Sequence, residues 1–502
     1  MDLLHNLGVG FATSLLPINL WYAFMGAALG TLIGVLPGLG PIATIAMLLP
    51  SMYTLEPTSA LIMLAGIYYG AQYGGSTTAI LINVPGEASS VVTALDGHQM
   101  ARHGRAGTAL ATAALGSFFA GTVGTLVVAA FAPPLTKLAF QFGAPEYCSL
   151  MFLGLVGAVV LASGSLVKAL AMVVLGLLLG QINTDVITAQ PRFSFGITEL
   201  MDGLNFVAIA MGVFSFGEII ANLGKPAEHR NVLVKKVTGL WPSRKDFRDA
   251  SPAAARGTVL GCLLGILPGA GPMLASFTSY AVEKRLSKHP EEFGKGAIQG
   301  VAAPEAANNA GAQTSFIPML TLGIPTSAVM ALMVGAMVIM GIQPGPQVMT
   351  SNPALFWGLI TSMWVGNLML VVLNLPLIGI WVKLLTVPYR FLFPAIMAFC
   401  AIGCYTLGNN NFEVYCAALF AVVGFVLLKL GFEPAPLILG FVLGPLMEEN
   451  LRRALLLSSG DWSVFVTQPI SASMLAISFA MIVAIALPAI KSKRREAFAE
   501  GD

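Results

Sequence analysis

Apolar stretches of about 20 residues recur along nearly the whole chain and alternate with short polar loops. A helix that crosses a bilayer needs about 20 apolar residues. The pattern therefore predicts an all-α polytopic membrane protein with about 10–12 transmembrane segments. The longest polar stretch, 223–253, is too short to fold alone. The predicted spans or half-spans are 19–53, 58–90, 107–132, 147–163, 168–183, 204–222, 254–282, 298–338, 355–382, 391–407, 412–430, 433–447 and 465–490.

Four of these segments are interrupted by Gly, Pro and polar residues, namely 19–53, 58–90, 254–282 and 298–338. The chain holds 54 Gly and 30 Pro, so helix breakers are abundant. A break frees backbone groups that are costly in a bilayer unless they line a cavity or are buried in protein. We therefore expect the function to lie at these breaks.

The composition agrees with the membrane assignment and excludes several classes of function. Hydrophobic residues make up 56% of the chain and charged residues 10%, and the mean hydropathy is +0.81; soluble domains carry about 25% charged residues. A net charge of +2 offers no basic surface for nucleic acid. All five histidines lie in polar or terminal segments, which argues against a proton relay, a haem ligand or an intramembrane zinc site. The five cysteines are interpreted as buried structural thiols.

Clustered basic residues predict the orientation of the chain. Lys and Arg concentrate in the loops 97–105, 223–253 and 283–297 and in the tail 491–502. The positive-inside rule makes these segments, and with them the C-terminus, cytoplasmic. Arg452 then lies on the outer side against the rule, although acidic residues stand beside it.

An internal repeat is the most informative feature of the sequence. Residues 34–41 read GVLPGLGP and residues 265–272 read GILPGAGP. Further along, the tripeptide GAQ at 70–72 recurs at 311–313, and each copy is followed by hydroxyl and amide residues and then by a proline. We interpret each LPGxGP unit as a re-entrant hairpin and each GAQ–Pro unit as a discontinuous helix with an unwound middle.

The basic loops indicate that the two copies have opposite orientations. Each matched loop is basic in one copy and lacks basic residues in the other, which is typical of an inverted-topology repeat. The predicted organisation is an N-terminal interfacial segment 1–18, a first inverted repeat 19–222, a basic cytoplasmic linker 223–253, a second inverted repeat 254–490 and a basic cytoplasmic tail 491–502.

Two hairpin tips and two unwound helices that meet near the middle of the membrane would form a ligand site. Half-helix N-termini present free N–H groups and a positive dipole end to an anion, whereas unwound carbonyls with side-chain oxygens suit a Na⁺ ion. The alternative is that these small and polar residues only pack helices together. The candidate substrate- or ion-binding residues are Gly38, Gly40, Gln72, Ser76, Thr77, Thr78, Asn83, Gly269, Gly271, Glu305, Asn308, Asn309, Gln313, Thr314, Ser315 and Thr326.

Three acidic residues at membrane depth, Glu87, Glu218 and Glu305, are functional hypotheses by default. Glu305 could bind a cation or a proton, or could equally cap a helix N-terminus; Glu218 could be interfacial. Because no arginine is placed to hold a carboxylate at mid-membrane, anion binding would depend on amides and hydroxyls. We predict no catalytic residue, no metal centre and no cofactor, with Na⁺ as a candidate coupling ion.

The motifs GVLPGLGP, YYGAQYGGSTTAILINVPGEASS, TALDGHQMARHG, GILPGAGP, PEAANNAGAQ and TLGIPT closely resemble those of the large membrane subunit of tripartite tricarboxylate transporters, the TctA family. The resemblance covers nearly the whole chain. It implies a secondary transporter of the bacterial inner membrane that imports small carboxylates such as citrate, driven by a Na⁺ or H⁺ gradient. It also implies two partners, a small TctB-like membrane subunit and a periplasmic TctC-like solute-binding protein. The architecture is similar to that of elevator-type symporters, which is a fold-level analogy.

Three other functions compete with alternating-access transport. An ion or anion channel would usually gather its filter from several copies or subunits, which two opposed hairpins in one chain fit less well. An intramembrane enzyme would need a nucleophile–base or metal constellation at depth, which the histidine positions do not offer. A membrane scaffold without transport activity would tolerate alanine at Asn308.

Overall fold

The computed structural model describes residues 3–36, 40–52, 54–83, 86–162, 165–185, 188–216, 220, 237, 239–267, 271–384, 392–408 and 410–486. These residues are almost entirely helical. The first half contains α1 (Leu3–Ser14), α2 (Pro17–Val35), α3 (Pro41–Met52), α4 (Pro57–Ile82), α5 (Val91–Arg102), α6 (Ala106–Ala139), α7 (Ala144–Leu161), α8 (Leu166–Gly180) and α9 (Phe206–Ala210). It also contains a short antiparallel ribbon of β1 (Asn183–Thr184) and β2 (Pro191–Arg192).

The second half continues the helical pattern, starting in the polar stretch that precedes the second LPGxGP unit. Its helices are α10 (Arg244–Leu264), α11 (Gly271–Leu286), α12 (Gln299–Thr314), α13 (Phe316–Leu322), α14 (Ala328–Ile339), α15 (Gln347–Ser351), α16 (Pro353–Asn374), α17 (Ile378–Leu384), α18 (Leu392–Gly408), α19 (Phe412–Lys429), α20 (Pro434–Leu457), α21 (Val464–Thr467) and α22 (Pro469–Ala486).

Several helices have the length and composition of membrane spans. Within the described residues, four helices are long and apolar enough to cross a bilayer, namely α2, α6, α16 and α19, and five shorter apolar helices accompany them. The chain is therefore a multi-pass membrane protein, as the hydrophobic pattern predicts. The count of 10–12 segments stays a prediction.

α2 packs against α4 along a row of glycines, and α10 packs against α12 in the same way. At six positions, a Cβ atom would collide with a backbone carbonyl of the facing helix, so only glycine permits this approach. The facing pairs are Gly26 with Met63, Gly30 with Ile67 and Gly34 with Ala71, and then Gly257 with Ala303, Gly261 with Ala307 and Gly265 with Gly311. The glycine row recurs after 231 residues and its facing helix after 240, so the repeat in the sequence is also a repeat in packing.

The two discontinuous helices break with the same backbone conformation. α4 ends at Asn83 with φ 57° and ψ 29°, and α13 ends at Gly323 with φ 73° and ψ 19°. The next helical turns begin after Glu87, with φ −148° and ψ 163°, and after Ser327, with φ −152° and ψ 169°. Both pairs are 240 residues apart. The helices continue through both GAQ tripeptides, so each break lies after the tripeptide.

The Asp96 clasp ties the first half to the second. One carboxylate oxygen of Asp96, in α5, accepts three backbone N–H groups, those of Gly294, Gly296 and Ala297, each at 2.8 Å. The other oxygen accepts the Tyr280 hydroxyl of α11 at 2.9 Å. Asp96 is fully buried. Three hydrogen bonds therefore fix the loop after α11 to α5, and a fourth to the same carboxylate fixes α11 itself.

The N-terminal end of α10 is held by charged groups outside the apolar segments. Ser243 and Asp246 form a capping box, and Arg105 pairs with Asp246 at 2.5 Å. Burial alone would raise the pKa of Asp246, but hydrogen bonds from Ser243 and the charge of Arg105 lower it below its usual value. Part of the predicted linker 223–253 is thus helical, while residues 221–236 and the tail 491–502 lie outside the described residues.

An ion-pair network surrounds Arg452, the basic residue that is predicted to lie on the outer side against the positive-inside rule. Arg452 of α20 contacts Asp185 at 2.8 Å and Glu448 at 2.7 Å. Arg192 of the ribbon contacts the same Glu448 at 2.7 Å. Two arginines and two carboxylates therefore hold the ribbon against α20.

Candidate functional site

A buried carboxylate from α12 joins four helices. Glu305 is 1% exposed, and its carboxylate accepts hydrogen bonds from Ser76 of α4 at 2.6 Å, Thr93 of α5 at 2.5 Å and Ser117 of α6 at 3.4 Å. Asn309 extends the cluster by donating to the Ser117 hydroxyl at 2.7 Å. The alternative that Glu305 caps a helix is wrong, because α12 begins at Gln299 and Glu305 lies inside it.

A second carboxylate lies at the first break. Glu87 accepts the Ser89 hydroxyl at 2.5 Å and the Asn308 amide at 3.2 Å. The surrounding partners favour the Gln72 amide with its nitrogen toward Glu87, where it donates to the same carboxylate. Asn308 and Glu305 are three residues apart on α12 and share a face. One helix face of the second half therefore serves both carboxylates.

Neither carboxylate has a basic partner. Across the part of the chain that the structure describes, the ion pairs of Lys, Arg and His residues all lie elsewhere. A buried charge without a partner is costly. Hydroxyl and amide groups compensate part of the charge on Glu305 and Glu87, and a bound cation or proton would compensate the rest.

The second break meets the start of α11. A Cβ atom at Gly271, the first residue of α11, would lie 3.7 Å from the Ser315 hydroxyl and 3.9 Å from the Cβ of Ser327. The Tyr68 hydroxyl of α4 lies beside both serines. Thr326 is fully buried, and its hydroxyl has no partner. The N-termini of α11 and α14 therefore approach each other at a polar site, and the Thr326 hydroxyl at this site has no hydrogen-bond partner.

A small cavity with room for about one water molecule adjoins Glu305. Its polar lining consists of Glu305, Ser76, Thr77, Ser117 and Asn374, and it is completed by Tyr73 and three apolar residues of α6. The side-chain amide oxygen of Asn374 is buried and has no hydrogen-bond partner.

The structure thus brings together nine of the sixteen predicted site residues. Five belong to the two carboxylate clusters, three lie at the second break, and Thr77 lines the cavity. The first group is Gln72, Ser76, Glu305, Asn308 and Asn309, and the second is Gly271, Ser315 and Thr326.

The remaining predicted residues lie elsewhere. Thr78 and Thr314 donate to carbonyls of their own helices, at 2.8 and 3.0 Å, as the packing alternative expects. The Asn83 side chain is exposed, and the Gln313 side chain lies against Gly124 of α6. Gly40 immediately precedes α3 and is half-buried. Gly38, Gly269 and Glu218 lie outside the described residues.

Sequence reasoning did not select Tyr68, Ser89, Thr93 and Ser117 as site residues. Ser89 follows Glu87 in the motif PGEASS, so its position beside the first break was a usable signal. Ser117 is a single hydroxyl in an apolar helix, and its role depends on tertiary contacts with α12 that no local pattern encodes.

Comparison with known proteins decides the family. Residues 20–439 match the family model described as "Tripartite tricarboxylate transporter TctA family". The chain belongs to the TctA family. As a TctA-family protein it is a subunit of a tripartite tricarboxylate transporter, which confirms the family expected from the motifs. The TctA family is known in general to work with TctB and TctC partners.

Two proteins of Agrobacterium vitis are similar to this TctA-family chain. One, "Uncharacterized 52.8 kDa protein in TAR-I ttuC' 3'region", is 62% identical over 502 residues. The aligned region spans all of this chain and all of that protein. The other, "Uncharacterized protein in TAR-II ttuC' 3'region", is 63% identical over 242 residues, which are 48% of this chain and all of that protein. No solved structure matches the chain.

Proposed function

We propose that this TctA-family chain imports small carboxylates of the tricarboxylate or dicarboxylate class by alternating access. The carboxylate binds where the N-termini of α11 and α14 meet, beside Gly271, Thr326 and Ser327. The observation that carries the proposal is the pair of helix breaks with matching backbone conformation. Freed backbone N–H groups at such breaks are suited to an anion at membrane depth.

The two breaks differ in charge, which favours the second as the anion site. Glu87 and Ser327 occupy equivalent positions, 240 residues apart, each immediately before a helical turn. The first break therefore holds a carboxylate of the chain itself, whereas the second holds only hydroxyl groups. The unpartnered Thr326 hydroxyl adds a free hydrogen-bonding group at that break.

The packing supports a movement of large units during transport. In each half the glycine row holds its helix, α2 or α10, closely against the helix that carries the GAQ tripeptide, so the two helices can move as one body. We propose that the two halves are inverted repeats with re-entrant hairpins, and that the movement is of the elevator type. The complex includes a TctB-like membrane subunit and a TctC-like binding protein, lies in the bacterial inner membrane with a cytoplasmic C-terminus, and uses a Na⁺ or H⁺ gradient.

Uptake of labelled carboxylate tests the site. The full chain is expressed with both partners in cells, and Thr326→Val and Ser327→Ala are compared with the parent. We expect each to weaken apparent substrate affinity about tenfold, the effect of losing one hydrogen bond to a charged group. Ser478→Ala is the matched control, because Ser478 is a buried hydroxyl that bonds within α22 at 2.8 Å. Unchanged uptake in both test variants contradicts the proposed site.

Counterflow tests the mechanism against the channel alternative. Vesicles preloaded with unlabelled substrate should accumulate labelled substrate transiently, because alternating access exchanges one for the other. Carboxylate currents at ion-channel rates without counterflow would contradict alternating access.

A further inference from the structure

The cavity beside Glu305 gathers oxygen atoms from four helices. Glu305 of α12, Ser76 of α4, Ser117 of α6 and Asn374 of α16 all line it, and each is less than 5% exposed. These groups are far apart in sequence, so only the folded chain assembles them.

Asn374, which lines this space, has an unused acceptor. Its amide nitrogen is occupied, because it donates to the Leu370 carbonyl at 3.0 Å and to the Thr31 hydroxyl at 3.4 Å. These bonds fix the orientation of the amide, and its buried side-chain oxygen has no hydrogen-bond partner. A buried acceptor without a donor is unfavourable, and native proteins generally satisfy it with water or a ligand.

The lining is rich in acceptors and carries one negative charge. The Ser76 hydroxyl proton is directed at Glu305, and the Tyr73 hydroxyl proton is directed at Asn367, 2.7 Å away. A water molecule could satisfy Asn374 but would leave the carboxylate charge uncompensated. A cation satisfies both, because hard cations take carboxylate, carbonyl and hydroxyl oxygens as ligands.

We propose that this cavity binds one Na⁺ ion through Glu305, Ser76, Ser117 and Asn374. One carboxylate balances a single positive charge, and carboxylate, amide and hydroxyl oxygens are the hard ligands that Na⁺ takes. The inference rests on the proposed function and assigns its coupling ion to named residues.

The position of the ion explains how it would affect substrate binding. Glu305 lies one turn before Asn308, whose amide holds Glu87 at the first break. Ser76 lies one turn after Gln72, which contacts the same carboxylate. Na⁺ binding therefore fixes the two helix faces that carry the first break. One of these helices, α4, also carries Tyr68, which lies beside Ser315 and Ser327 at the proposed substrate site.

Thermal unfolding of the full-length chain in lipid nanodiscs tests the site. NaCl is titrated against choline chloride at constant ionic strength, with KCl as a parallel series. We expect a saturable rise of the unfolding midpoint with Na⁺ and little with K⁺. Glu305→Gln and Asn374→Leu should raise the half-saturating Na⁺ concentration at least tenfold. If either variant fails to fold, Ser117→Ala replaces it in the test, and it should also raise this concentration.

Ser149→Ala is the matched control, since Ser149 is a buried helical hydroxyl paired with Ser471 of α22 at 2.7 Å. Its Na⁺ response should equal that of the parent. The proposal is overturned if Na⁺ and K⁺ act equally, if the parent shows no Na⁺ response, or if the folded variants keep the parent's half-saturation.

Uptake by the complex with its partners separates this inference from the proposed function. Substrate uptake without Na⁺-dependent stabilisation overturns the Na⁺ site and leaves the transport function intact. Na⁺-dependent stabilisation that the variants lose, without any substrate uptake, supports the Na⁺ site and overturns the transport function.

Discussion

Removing the carboxylate of the Asp96 clasp should be among the most damaging single changes in the chain. Asp96→Ala deletes all four hydrogen bonds, three that fix the loop after α11 to α5 and one that fixes α11 itself. The three N–H groups then differ in their fate: Gly294 is exposed and can bind water, Gly296 is half-buried, and Ala297 is buried. A stranded buried donor costs about 1–3 kcal/mol, and each lost bond to a charged group about 1.5–3 kcal/mol.

With partial hydration, we expect Asp96→Ala to lower the free energy of unfolding by about 3–5 kcal/mol. Asp96→Asn keeps one oxygen for the three N–H groups and loses the charge, so about 1–2 kcal/mol is expected. Tyr280→Phe removes one hydroxyl and should cost about 1 kcal/mol. The series is therefore graded by how many bonds each variant retains.

Equilibrium unfolding of the purified chain in mild detergent, followed by tryptophan fluorescence, measures these differences. Asp202→Asn is the control, because Asp202 is exposed at the end of a short helical turn. If Asp96→Ala lies within about 0.5 kcal/mol of that control, or if the three variants do not follow the stated order, the account of the clasp is refuted.

Three further predictions concern other contacts. Gly261→Leu should separate α10 from α12, and it should either lower the yield of folded protein or lower the free energy of unfolding by about 3 kcal/mol. Gly379→Leu is the control and should have little effect, because a side chain there meets open space. Equal yields of the two variants would contradict the close approach of the helices. Asp246 has a lowered pKa, so its ion pair stabilises the fold at neutral pH and loses that contribution as the pH falls below the usual Asp range. When the unfolding midpoint is titrated with acid, Asp246→Asn should reduce this loss of stability. The reduction should be less than about 1 kcal/mol, because the ion pair is partly exposed. If the variant loses as much stability in acid as the parent does, this contribution of Asp246 is contradicted. Arg452→Ala removes the 2.8 Å ion pair to Asp185 and should cost about 2 kcal/mol in chemical unfolding, while Arg453→Ala, at an exposed pair, should cost under about 1 kcal/mol.

The parts of the fold that follow from local pattern were predictable from the sequence. The breaks after Ile82 and Leu322 lie next to Pro85 and Pro325, because proline and small polar residues disfavour a continuing helix. The repeat was visible because both copies of LPGxGP keep the same prolines and glycines. The matching of GAQ in the sequence differs by one residue from the packing register. The GAQ tripeptide recurs after 241 residues, whereas the residues that face the glycine rows and the break residues recur after 240.

The details of the site depended on contacts between distant segments. Glu305 could be selected because it is charged at membrane depth, but its partners Thr93 and Ser117 are common hydroxyl residues in helices. Asn374 was not selected because one amide near the end of an apolar helix fits equally well with packing. The proposed role of Asn374 depends on Thr31 and Leu370, which accept hydrogen bonds from its amide nitrogen. These bonds leave its side-chain oxygen without a partner.

The Asp96 clasp also reflects a difference in length between the two halves of the chain. The glycine row recurs after 231 residues and the facing helix after 240, so the second half has nine more residues between them. The loop that supplies Gly294, Gly296 and Ala297 lies within this longer connection. The clasp therefore makes the contact between the halves unequal. The first half contributes one buried carboxylate, and the longer connection of the second half contributes the three backbone N–H groups that this carboxylate accepts.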